Sequence, residues 1–193
     1  MASYYAMKTI KKNDSNAQIL IIGHEASDPY SRPPLSKELW DSSDEDLQDL
    51  MFKDYTGDKK SIFYDSSSIV HVKETDDLSS TDKVYFLNGS VSSIDTAEES
   101  IKLSSGAKIK YGKLLIATGG SPKILPVVKD LPKESRDRVM TFRGVSFYIL
   151  TLKIDDFKKL YQLQQAGNKT IAIVGGGFLG SELAVALSKK GIS

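Results

Sequence analysis

Residues 170–190 read TIAIVGGGFLGSELAVALSKK, and no other stretch constrains the fold as tightly. Thr170–Val174 has the composition of a short apolar strand. Gly175, Gly177 and Gly180 then give G-x-G-x-x-G, and LGSELAVALSKK reads as an amphipathic helix. The glycine pattern alone is weak. Between a strand and a helix it specifies the βα turn of a dinucleotide-binding unit. The first glycine permits the tight turn and the second lets backbone approach a pyrophosphate. The third lets helix pack on strand, and the helix N-terminus faces the phosphate charge. The competing reading is a structural βα turn with no ligand. The acid that would bind the ribose is expected about 20 residues further on. That is past Ser193, so NAD versus NADP preference is not legible here.

The N-terminal end carries the second half of a similar unit. SYYAMKTIKK, residues 3–12, predicts a helix, with Tyr4, Met7 and Ile10 at i, i+3, i+6 and lysines at its end. QILIIG predicts a short buried strand, and Glu25 follows it where a ribose-binding carboxylate belongs. Read as an ordinary loop acid, Glu25 would have no such role. A strand and a glycine turn are expected before the helix, and the sequence opens inside the helix instead. KKSIFY and SSIVHV predict short strands, and DSSDEDLQDL a solvated helix start. From about residue 83 to 110, apolar and polar residues alternate around Asn-Gly and Ser-Gly turns, as in an antiparallel β-meander. KLLIATGG predicts a return to a buried, parallel-type strand ending in glycines. Residues 121–138 form a Pro- and charge-rich connection, and KIDDFKKLYQLQQAG a helix with a glycine stop. The fold class is therefore α/β: an incomplete, doubly wound Rossmann-like dinucleotide-binding domain, an antiparallel meander, and the start of a second dinucleotide-binding domain.

Composition narrows the chemistry. The chain has no cysteine and only His24 and His71. Disulfides, thiolate zinc sites and a dithiol redox pair are excluded, and no His-based metal cluster or Ser-His triad is expected. Redox chemistry would fall to a bound organic cofactor. A net charge of +1 gives no general case for nucleic acid or membrane surfaces. No apolar run approaches the ~20 residues of a membrane span. No secretory or transit segment is legible at the start.

SDPYSRPPLSKELW, residues 27–40, sets two prolines between Arg32 and Lys37. PYSRPPLSKELW, FKDYTGDKKSIFY, LLIATGG and IVGGGFLGSEL together resemble the apoptosis-inducing factor family. These are mitochondrial FAD- and NADH-binding proteins with the fold of pyridine-nucleotide disulfide reductases. RPPLSK alone is shared with ferredoxin and rubredoxin reductases. Trp40, the FKDYTGDKKSIFY block and Ser181 before Glu182 favour the apoptosis-inducing factors. The resemblance spans nearly the whole chain, except residues 144–152 and the weakly matching 121–138.

The resemblance implies a stiff Pro-Pro segment along the FAD, where fixed φ lowers the entropy lost on ordering the site. It places Arg32 by the pyrophosphate or ribityl chain, and Lys37 beside the flavin ring, where a cation favours reduced, anionic flavin. Glu182 matches the partner of that lysine, so Lys37 and Glu182 are the expected catalytic pair. Glu25 would bind the adenosine ribose and Val91 the adenine. Ala117, Thr118 and Gly119 would bind the flavin nucleotide, and Arg143 would make a further FAD contact. Gly175, Gly177, Phe178, Leu179 and Gly180 would form the NAD(H) turn, with Phe178 stacked on nicotinamide. The competing reading of Phe178 is a packed core aromatic. That of Lys37 and Glu182 is a surface ion pair of little worth.

On this resemblance, residues 1–143 form a partial FAD domain, 144–152 an insertion and 153–193 the start of the NAD(H) domain. Gly144–Leu152 intervenes where family members run almost directly from the FAD-contacting arginine into the next helix. An in-frame retained intron or gene-model error is the plainest account, and an extra strand or helix extension the alternative. The implied parent is a FAD-dependent NADH oxidoreductase with mitochondrial and cell-death roles, resident in the intermembrane space and released to cytosol and nucleus. Its implied partners are NADH and an electron acceptor not legible here, with homodimerisation on cofactor reduction. Two other functions stay open: a non-catalytic truncated isoform or gene-model fragment, and a ferredoxin- or rubredoxin-type NADH reductase.

Overall fold

The computed structural model describes residues 2–80, 82–120, 125–140, 144–145, 149–150, 153–167 and 170–192. In chain order the elements begin with α1 (Ala2–Asn13), β1 (Ile19–Gly23), two consecutive 3-10 turns (Pro33–Ser36 and Glu38–Asp41) and α2 (Asp44–Gln48). The strands β2 (Met51–Lys53), β3 (Lys59–Ser61), β4 (Ile69–Val72), β5 (Val84–Asn88), β6 (Val91–Asp95), β7 (Ser100–Leu103) and β8 (Lys108–Lys110) follow. The rest are α3 (Pro126–Lys129), α4 (Lys133–Arg136), β9 (Gly144–Val145), β10 (Ile149–Leu150), α5 (Ile154–Gln165) and α6 (Phe178–Lys189). They form two compact units. The first comprises Met1–Tyr30 and Phe63–Thr118, and the second Ser31–Ile62 and Gly119–Ser193.

The first unit is built on a parallel sheet of order β1-β5-β4, in which Val84 pairs with both Ile19 and Ile69. The apolar stripe of α1 covers it: Tyr4 and Met7 are buried with Val84, and Ile19, Ile21, Tyr64 and Ile69 pack around them. Tyr4 stacks on Tyr64 at 4.4 Å. The expected meander from residue 83 is corrected at its first strand. Val84, Tyr85, Phe86 and Leu87 are all buried, because a central parallel strand is covered on both faces. Four apolar residues in succession carry that signal, and it outweighs the Asn-Gly turn after them. The antiparallel meander is β6-β7-β8, Val91–Lys110. β7 buries Ile101 and Leu103, whereas β6 is exposed throughout.

Two further strand expectations are overturned. Residues 114–120 and 170–174 carry no strand, and Leu115, Ile116 and Val174 are exposed. Composition alone does not make a strand. Its amides and carbonyls need a neighbouring ladder, and no described strand pairs with either run.

The second unit gathers around the Pro-Pro segment. Pro33 and Pro34 occupy the first positions of the first 3-10 turn, where a missing N–H costs nothing. Leu35, Leu39 and Trp40 are essentially inaccessible. The Trp40 indole Nε1 donates to the Leu35 carbonyl at 2.9 Å, and its ring meets Phe157 of α5 edge-on at 5.0 Å. β2 and β3 form an antiparallel hairpin. Its tip is tied by Asp54, which accepts from the Thr56 amide and hydroxyl, the Asp58 amide and the Lys60 ammonium. The lysine contact above all holds the Asp54 carboxyl far below the usual carboxylate range. α5 ends before Gly167 (φ +81°), as its glycine stop predicts. α6 buries Leu179, Leu183, Ala186 and Leu187, one face of a helix. Its C-terminal end is fastened to the end of the second 3-10 turn, by Lys189 to Asp41 at 2.7 Å and Lys190 to the Ser42 carbonyl at 2.9 Å. Gly144–Val145 and Ile149–Leu150 pair antiparallel within the stretch read as an insertion.

Candidate functional site

The Pro-Pro segment and the first turn of α6 meet within the second unit. Lys37 terminates the first 3-10 turn with φ −132° and ψ −103°, outside the helical region. Its Nζ lies 3.0 Å from Glu182 Oε1. The Ser36 hydroxyl, fully buried, lies 2.9 Å from Glu182 Oε2. Each carboxylate oxygen of Glu182 thus has its own partner, from two consecutive residues. Lys37 and Glu182 are brought together as expected. With side chains 39% and 24% exposed, the pair is neither sealed in the core nor freely solvated. Ser36 is the residue the sequence reading missed. Its only signal was its place directly before Lys37 in RPPLSK.

The three glycines of the turn stand in different situations. Gly175 has φ +129°, a conformation that favours glycine. A Cβ on Gly180 would fall inside contact distance of the Gly175 carbonyl oxygen, so the helix crosses its own turn too closely for a side chain. At Gly177, the N-cap of α6, a Cβ would meet nothing within 4 Å, and no side chain caps the helix. The helix therefore begins with uncapped amides beside open space, the arrangement an anionic phosphate needs. Phe178 is 91% exposed, while Leu179 is buried. Arg32 caps the first 3-10 turn from its N-terminal side, accepting the Leu35 amide on its carbonyl at 3.0 Å.

In the first unit, Glu25 and Val91 lie just past the C-terminal ends of the adjacent parallel strands β1 and β5, the edge at which such sheets bind ligands. The Gly89 amide donates to the Gly23 carbonyl at 2.9 Å and ties the two ends together. The buried Tyr30 hydroxyl donates to Glu25 Oε2 at 2.5 Å and orients the carboxylate. Tyr30 also escaped the sequence reading. Nearby, Asp28 accepts from Ser66 at 2.8 Å and meets His71 Nε2 at 2.6 Å. Ala117 and Thr118 are exposed in this unit, and Gly119 (φ +68°) opens the next segment of the other. Arg143 lies outside the described residues. Among the described residues, no group of three or more His, Cys, Asp or Glu side chains could hold a metal, and no helix is long and apolar enough to cross a membrane.

Comparison with known proteins gives a consistent result. The family model described as pyridine nucleotide-disulphide oxidoreductase matches residues 1–193. The chain is 36% identical over 191 residues to a mitochondrial protein of Drosophila melanogaster designated apoptosis-inducing factor 1, covering 97% of this chain and 24% of that protein. It is 37% identical over 190 residues to the mitochondrial apoptosis-inducing factor 1 of Dictyostelium discoideum, covering 98% of this chain and 32% of that protein. Among solved structures, the ferredoxin reductase for the CYP199A2 system from Rhodopseudomonas palustris matches with a TM-score of 0.67 and 24% identity, over 99% of this chain and 38% of that one. The NADH:rubredoxin oxidoreductase from Clostridium acetobutylicum matches with a TM-score of 0.54 and 26% identity, over 90% and 36%. The chain spans about a quarter to a third of the curated relatives' length.

Proposed function

The chain belongs to the pyridine nucleotide-disulphide oxidoreductase family, and from that premise we propose that it supplies cofactor-binding parts of a FAD-dependent NADH oxidoreductase of the apoptosis-inducing factor type. The observation that carries this reading is the contact of Lys37 with Glu182, which joins the Pro-Pro segment to the helix of the glycine turn. FAD and NADH would supply the hydride chemistry, and the residues of this chain would supply position and charge.

The open space at Gly177 and the uncapped start of α6 fit a dinucleotide pyrophosphate. Phe178, exposed beside them, presents a face on which nicotinamide would stack. Lys37, held by Glu182, would place a fixed cation at the flavin ring, where negative charge builds up on reduction. Arg32 would meet the FAD phosphates. Glu25, steadied by Tyr30, would accept from the adenosine ribose, with Val91 at the adenine. Ala117, Thr118, Gly119 and Arg143 would complete the flavin nucleotide site. The mitochondrial setting and any part in cell death follow the names of the relatives. In the FAD-loaded protein, Lys37→Ala should slow flavin reduction by NADH and shift the flavin potential while leaving thermal stability nearly unchanged. An unaltered potential and rate would remove the reading.

A second reading is favoured by the likeness to the 3-phenylpropionate/cinnamic acid dioxygenase ferredoxin–NAD(+) reductase component of Photorhabdus laumondii, 27% identical over 190 residues. In it, electrons pass on to a ferredoxin-type acceptor. Reduction of added ferredoxin, followed optically, separates the two.

A further inference from the structure

We infer that Ser36 is a positioning residue: its hydroxyl clamps the free oxygen of Glu182 so that the carboxylate holds the Lys37 ammonium in one place. This rests on the reading of Lys37 given above. The geometry is specific. Ser36 Oγ lies 2.9 Å from Glu182 Oε2, and Lys37 Nζ lies 3.0 Å from Oε1. Ser36 is fully buried, so its hydroxyl has no water to turn to. Its other acceptor is the Pro33 carbonyl at 3.3 Å, longer and uncharged. Hydrogen bonds to ionised acceptors are the shorter and stronger kind, so the hydroxyl proton is directed to Glu182.

A carboxylate held only by a flexible lysine swings about its side-chain torsions and carries the ammonium with it. Lys37 and Glu182 are both partly exposed, and by themselves would have the weak, mobile coupling of a surface pair. A second anchor from a buried residue removes that freedom. The anchor and the ammonium are neighbours in sequence, so both contacts come from one rigid stretch. Pro33 and Pro34 stiffen it from one side, and the bond from Trp40 to the Leu35 carbonyl from the other.

The fold tolerates the test. Ser36→Ala leaves Glu182 Oε2 without a partner among the described residues, but the Glu182 side chain reaches water. Glu182→Ala leaves the Ser36 hydroxyl the Pro33 carbonyl. Two measurements are made on each variant. The first is water exchange of the Lys37 side-chain ammonium by NMR in the protein without added cofactor. The second is the rate of flavin reduction by NADH in the FAD-loaded protein. The expected result is faster ammonium exchange in Ser36→Ala and about tenfold slower reduction, the loss that follows one charge-assisted bond. In a Glu182→Ala background, Ser36→Ala should add less than about a twofold change, because the two act as a unit. Unchanged exchange and reduction in Ser36→Ala, with Lys37→Ala still slow, would overturn the inference. So would full additivity in the double variant. If ammonium exchange responds to Ser36 while Lys37→Ala leaves reduction untouched, the clamp stands and the flavin role of Lys37 falls.

Discussion

Gly177 and Gly180 sit one turn apart on α6, and their substitution should fail in opposite ways. At Gly180, a Cβ would run into the Gly175 carbonyl oxygen, which is backbone and has little room to move. Gly180→Ala is thus overpacking, and we expect it to cost about 1–3 kcal/mol of stability. At Gly177 the backbone is extended (φ −77°, ψ 178°), which any residue adopts, and a Cβ would meet nothing within 4 Å. The fold does not need a glycine there. If the open space is where a pyrophosphate approaches the first-turn amides, the Val methyl groups of Gly177→Val displace it. Losing one hydrogen bond to a charged phosphate is worth about 1.5–3 kcal/mol, or roughly 10- to 100-fold in affinity. The assay pairs thermal melting with NADH titration of the FAD-loaded protein. Gly177→Val should melt close to wild type, keep its flavin and bind NADH weakly. Gly180→Ala should melt several degrees lower. Unchanged NADH affinity in Gly177→Val would refute the ligand reading of the turn. A Gly180→Ala variant as stable as wild type would refute the steric one.

Other outcomes follow from particular contacts. Trp40→Phe keeps the edge contact with Phe157 but leaves the Leu35 carbonyl without its donor, so denaturant melts should show a loss of about 1–3 kcal/mol; a neutral result would mean that water reaches that carbonyl. Because the Asp54 carboxyl is held far below its ordinary value, its contribution is complete above the unfolded carboxylate range. It is lost only as pH falls through the lower folded value. Hydrogen exchange at Asp58 should therefore stay slow through mild acid, and Asp54→Asn should remove that protection at neutral pH. Finally, Leu115, Ile116, Val174 and Phe178 leave apolar surface exposed. The 193-residue chain of this sequence should therefore bind hydrophobic dyes with a rise in dye fluorescence. No rise in dye fluorescence would show this expectation wrong.

Legibility followed how local each signal is. α1, α5 and α6 were readable because a 3.6-residue apolar stripe and its stops lie within one segment. The pairing of Lys37 with Glu182 was reachable only through resemblance, since the two are far apart in sequence. Ser36 and Tyr30 escaped because a buried serine or tyrosine looks like any other until its acceptor is known. The strand reading of LLIATGG and TIAIV failed for the converse reason. Both have strand composition, yet a ladder is a property of two segments, and one segment cannot announce its neighbour. β5 was placed in the meander because an Asn-Gly turn is a strong local cue, while its parallel pairing depends on β1 and β4, two other segments of the chain.

The chain leaves the first unit after Tyr30 and re-enters it at Phe63. Those two residues form an antiparallel bridge, and on the far side of the junction the Ser31 amide donates to the Ile62 carbonyl at 2.7 Å. Residues 31–62 therefore form a detour whose two feet stand side by side. Such a detour can change length without shifting the register of β1 and β4 against β5, because each doubling of a loop costs only about 0.6 kcal/mol of closure entropy. Evolution can rewrite the hairpin tip at the fully exposed Tyr55 while leaving the parallel sheet untouched. The segment bearing Arg32, Ser36 and Lys37 has no such freedom, because its contacts with Phe157, Glu182 and Lys189 bind it to α5 and α6.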